Sequence, residues 1–183
     1  YGDWSSDVCS SDLHVTANQE EAYICLQDIG EGRDDSPGTR ALLLEILADA
    51  LLQRSATRVP DWASHGLGLA LAARQDPKNS YFHGLAVPAR SIVQSLARPQ
   101  DLFDEGAFSP SDAAPVGYTL VSHMLRVGGD SKYVQFLTQL GLGKPLAGVL
   151  KEVYSADAAT LGRSYVDSLM TSRLSPKKAG PAK

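Results

Sequence analysis

Among the side chains whose types suit acid–base or metal chemistry, Glu45, set in RALLLEILADALLQ, and His65, set in VPDWASHGLGLALAAR, stand on neighbouring apolar stretches. A carboxylate within reach of an imidazole can move protons, and either group can hold a divalent cation. Asp49 lies four residues after Glu45 and shares its helical face. The other imidazoles, His14, His83 and His123, sit on separate segments, so only tertiary structure can bring them to His65. A lone histidine at the start of an apolar helix is more often a hydrogen-bonded core or rim residue. Cys25 has no identifiable histidine partner, no serine stands in a G-x-S-x-G turn, and no glycine-rich phosphate loop is present.

The elements that must position Glu45 and His65 are two helices. Arg40 to Gln53 is apolar on nearly every side, which predicts a central helix packed by neighbours all round. Pro60 suits the first turn of the next helix, which runs to Arg74 through small and aliphatic residues. QDPKNS, residues 75–80, breaks it. Upstream, His14 to Ala17 suits a short strand, and Asn18 could cap a helix with Ala22, Cys25, Leu26 and Ile29 on one face. Downstream, helices are predicted over Leu85–Arg98, Val116–Val127, Lys132–Leu140, Pro145–Tyr154 and Ala158–Ser172, with Pro99–Asp112 a surface loop pinned by Leu102, Phe103 and Phe108. The fold class is therefore mainly α, with at most a short strand near the N-terminus.

The helix pair resembles the active-site helices of the gluzincin (peptidase MA-like) metallopeptidases. There H-E-x-x-H on one helix supplies two zinc ligands and a general base, and W-x-x-E-G on the next supplies the third ligand. Here the corresponding residues are Leu44, Glu45 and Ala48, then Trp62, His65 and Gly66, with Ala48 and His65 17 positions apart. The resemblance covers roughly Arg40 to Leu169. It implies a helical, zincin-like bundle in which Glu45 holds the base position, while Leu44, Ala48 and His65 hold vestigial ligand positions. It also makes Tyr118, on a later helix, the candidate oxyanion donor. Tyr118 and His123 are five residues apart and do not share a face, so core packing of Tyr118 is the simpler expectation.

Zinc hydrolysis needs three protein ligands, an open position for water and a base. Leucine and alanine bind no metal, so the sequence predicts no zinc and no cofactor. Without a metal-bound water, Glu45 is expected to cap a neighbouring backbone group or to pair with an arginine such as Arg40 or Arg58, because a carboxylate on so apolar a helix must be paired or hydrogen-bonded. Trp62, opening the second helix, is expected to lay its ring over the first. The sequence-level reading is a non-catalytic peptidase-like domain, a structural or binding module of a larger, extracytoplasmic bacterial protein that contacts a protein partner or an upstream domain. Two alternatives stand beside it: a hydrolase using Glu45 and His65, and an unrelated helical interaction domain.

Composition bounds these readings. Residues 3–13, DWSSDVCSSDL, resemble a translated sequencing adapter, which sets the start of the natural sequence near His14 and leaves 14–174 as one N-terminally truncated domain. Removing Asp3, Asp7 and Asp12 takes the formal charge from -4 to -1. So neutral a domain gives no electrostatic case for nucleic acid. Cys9 goes too, and the single Cys25 cannot form an internal disulfide. No apolar run reaches the roughly 18–20 residues of a membrane span. Residues 175–183, PKKAGPAK with its preceding serine, form a short basic tail, expected to be disordered.

Overall fold

The structure is a computed structural model that describes residues 15–17, 22–24, 30, 36–55, 59–104 and 106–171. The adapter-like segment and the basic tail lie outside these residues. What is described is mainly helical. A small antiparallel hairpin, β1 (Val15–Ala17) and β2 (Ala22–Ile24), precedes seven α-helices: α1 (Thr39–Ser55), α2 (Asp61–Gln75), α3 (Ser80–Gly84), α4 (Ala86–Ser95), α5 (Pro110–Gly141), α6 (Leu146–Tyr154) and α7 (Ala158–Thr171). A short 3-10 helix, Pro99–Phe103, follows α4.

The hairpin corrects two expectations. There are two short strands rather than one, and Ala22 to Ile24 belong to β2 rather than to a helix. Val15 pairs with Ile24, Thr16 with Tyr23 and Ala17 with Ala22. Tyr, Ile, Thr and Val fit a pleated surface, and this cross-strand pairing outweighs a helical spacing that rested on a few apolar positions.

α2, not α1, is the central helix. Ala63 and Leu69 are fully enclosed, and Trp62, Ser64, Ala70 and Ala72 nearly so. α1 packs along one side of α2 and α5 along the other. Small residues make both approaches close. A Cβ on Gly66 would run into the backbone carbonyl of Gly117 on α5, and one on Gly68 would run into the Cα of Glu45 on α1. α1 lies at the edge instead, with Leu43, Leu47 and Leu51 on its outer side and 36%, 37% and 61% exposed. Its apolar composition overstates its burial because spacing of four places those leucines on one uncovered face.

The main core lies on the other side of α2. Val116, Leu120, Val121 and Met124 of α5 meet Val149 and Leu150 of α6 and Leu161 and Tyr165 of α7. Trp62 belongs to this core, not to the α1 side where it was expected. Its ring stands edge-on to Phe103 at 5.8 Å and tilts against Phe136 at 6.3 Å. Tyr133 donates its buried hydroxyl to the carbonyl of Ala63, 3.2 Å away, tying the same end of α2 to α5.

Elements between the predicted helices also differ. Residues 99–103, expected as loop, form the 3-10 helix with Leu102 and Phe103 buried. The helix predicted from Val116, α5, begins six residues earlier, at Pro110, and continues past the glycine pair to Gly141. The predicted stop survives as a break: Gly129, at φ 73°, adopts a left-handed conformation that a side chain would strain. α3 was missed altogether; Asn79 caps it, its side chain accepting from the backbone N–H of Tyr81 at 3.1 Å.

Candidate functional site

α1 and α2 run antiparallel, with Arg40 reaching Gln75 at one end across 3.5 Å. Glu45 sits where the two backbones come closest, against Gly68, because only a glycine leaves room there. One turn earlier on α2, His65 Nδ1 lies 3.3 Å from Glu45 Oε1. The pair is at a rim: the His65 side chain is 39% exposed and that of Glu45 16%. Glu45 therefore pairs with the imidazole, while Arg40, one of the partners the sequence suggested, reaches Gln75 instead. Arg58 lies outside the described residues.

This contact raises the His65 pKa above its ordinary value. The hydrogen bond to Glu45 is the largest cause; burial opposes it, and the charges of Glu45, Asp49 and Asp61 add to it. Tyr81 on α3 feels Glu45 as well, its hydroxyl pushed up first by burial and then by that carboxylate. Tyr81 is a residue the sequence did not single out. No signal marked it, since α3 itself was not legible.

The remaining candidate residues go elsewhere. Ala48 is buried on the inner side of α1 at 7% exposure. Leu44 packs with Ala41, Leu69, Ala72 and Phe82, and lines a groove of about 640 Å³ with Arg40 and Gln75. Tyr118 stacks at 5.8 Å on Phe82 and hydrogen-bonds Ser122, with its hydroxyl raised mainly by burial. It is a packing residue with a polar tip, in keeping with the simpler of its two readings.

Comparison with protein-family models, with curated proteins and with solved structures found no match. The chemistry of the site therefore rests on its own geometry.

Among the described residues no second imidazole joins His65. His83 donates through Nε2 to the carbonyl of Pro77 at 3.1 Å, closing its own turn. His123 is buried on the opposite side of the core, where its Nδ1 accepts from Arg126 at 2.9 Å and its Nε2 lies 3.3 Å from the Ser164 hydroxyl. Because the guanidinium only donates, Nδ1 is the bare nitrogen and Nε2–H donates to Ser164. His123 is thus held neutral, its pKa lowered to about 4 by burial and then by Arg126. It clamps α5 to α7 and does not activate Ser164 as a nucleophile.

Among the described residues no three His, Cys, Asp or Glu side chains come together in a metal-holding group. Ser64, beside His65, gives its hydroxyl to the Asp61 carbonyl at 3.1 Å, so it is committed to its own helix. What the dyad can do by itself is exchange a proton with solvent.

Proposed function

We propose that this chain is a non-catalytic, peptidase-like domain, a gluzincin-type helix pair that has lost its zinc ligands and serves as a structural or binding module of a larger extracytoplasmic bacterial protein. The observation that carries the reading is the 3.3 Å contact between Glu45 and His65. The resemblance assigns these positions to the general base and the third zinc ligand, two groups that an active enzyme would turn toward one metal-bound water. In this chain they satisfy each other. Leu44 and Ala48 add no metal-binding group beside them. The binding half of the reading draws on Leu43 and Leu47, exposed apolar side chains one turn apart on α1 that suit a protein partner or a neighbouring domain.

The alternative of a hydrolase using Glu45 and His65 draws on the same contact, and one experiment separates the two. Purified protein is expected to contain no stoichiometric zinc and to cleave no peptide. The triple variant Leu44→His, Ala48→His, His65→Glu is expected to bind one zinc and to gain stability that a chelator removes, since metal that binds only the folded form stabilises it. One zinc per unmodified chain, or peptide hydrolysis lost on Glu45→Gln, would reject the non-catalytic reading. A folded triple variant that takes up no zinc would reject the gluzincin register.

A further inference from the structure

A second cavity lies at the N-terminal end of α2, one turn before His65. The first turn of α2, the loop after Phe103 and the turn between α5 and α6 enclose a cavity of about 540 Å³. That volume falls within the range of roughly 300–1,000 Å³ in which small-molecule sites are found. Its walls are aromatic, built from Trp62, Phe103 and Phe108. Among the described residues three charged ones line it: Asp61, Asp104 and Lys144.

The charges do not cancel. Lys144 is engaged from outside by Glu152, with Nζ 2.9 Å from a carboxylate oxygen. Asp61 and Asp104 are exposed, and among the described residues neither has an ion-pair partner. The cavity therefore combines aromatic side chains with two exposed carboxylates, one of which, Asp61, also acts on His65. Both attract a cation, the carboxylates as exposed, solvent-screened charges. An anion would meet two carboxylates and a lysine already committed.

We propose that this cavity binds an organic ammonium, a ligand with one protonated amine and an aromatic or branched apolar body. The body fills the space beside Trp62, Phe103 and Phe108, while the amine sits toward Asp61 and Asp104. This inference does not depend on the peptidase-like reading and would survive its failure.

The test uses the full chain and three probes of similar size: 2-phenylethylammonium, neutral 2-phenylethanol and anionic 3-phenylpropanoate. Binding is followed by calorimetry and by the Trp62 indole N–H resonance. That group is buried with no hydrogen-bond partner among the described residues, so a ligand beside it is expected to shift its signal. The ammonium should bind more tightly than the alcohol, and the carboxylate most weakly. Asp61→Asn and Asp104→Asn should each weaken the ammonium roughly threefold, the effect of one exposed charge pair, and leave the alcohol unchanged. Ala107→Phe, which fills the cavity from its loop, should abolish binding of both. Equal binding of ammonium and alcohol, absence of saturable ammonium binding, or binding that leaves the Trp62 resonance unmoved would overturn the proposal. Because both aspartates are exposed, their variants keep it decidable even if the phenylalanine variant does not fold.

Discussion

Replacing His123 tests whether a buried imidazole held neutral makes the fold acid-sensitive. In the folded chain its pKa is lowered to about 4, because the ring is only 5% exposed and Arg126 faces Nδ1. In the unfolded chain the ring titrates near 6.5. The unfolded state therefore binds the extra proton first, so stability from His123 is full above 6.5 and is lost as pH falls from there toward 4. Between about pH 7 and pH 5 this difference removes about 2 kcal/mol, and the loss approaches about 3 kcal/mol below pH 4. For a chain of this size 2 kcal/mol lowers the melting temperature by roughly 4–8 °C. The assay is urea unfolding at both pH values for the parent and for His123→Gln. The variant is expected to be less stable at neutral pH, because the α5–α7 clamp is broken, and to lose most of the pH dependence within this window. An unchanged pH slope in the variant would refute the assignment of that slope to His123. A His123 titration near 6.5, followed by its ring-proton shifts, would refute the burial argument itself.

His65 has the opposite sign. Its pKa is raised, so the stability it contributes is complete below the unfolded value and is lost as pH rises through the folded one. Glu45→Gln should bring that titration down, read from the His65 ring protons, and an unshifted His65 would show that Glu45 is not its partner. Trp62→Ala should cost about 3–5 kcal/mol by emptying the space between Phe103 and Phe136, measured by denaturant unfolding. A loss under about 1 kcal/mol would contradict its place in the core. Gly66→Ala should cost about 1–3 kcal/mol, since its methyl group meets the Gly117 backbone and not a movable side chain. A neutral outcome would mean that α2 and α5 can separate without loss.

Local pattern determined much of this protein. The periodicity of apolar residues, with proline and glycine as punctuation, located α1, α2, α4, α6 and α7 to within a few residues, because hydrophobic spacing and turn chemistry act over short stretches of chain. Glu45 and His65 stand out through the resemblance of these two helices to the gluzincin motif pair. What the sequence left undecided is which face meets which neighbour. α1 is richer in leucine than α2, yet α2 is central, because Gly66 and Gly68 let two backbones approach and leucines cannot. Trp62 turned toward Phe103 and Phe136, 41 and 74 residues away in the chain, and away from the helix beside it in sequence. The same holds for the dyad's partner and for Tyr81. A carboxylate on an apolar helix must be paired, which the sequence dictates, but whether an arginine or an imidazole pairs with it is set by the crossing of α1 over Gly68, and that crossing exists only in the folded chain.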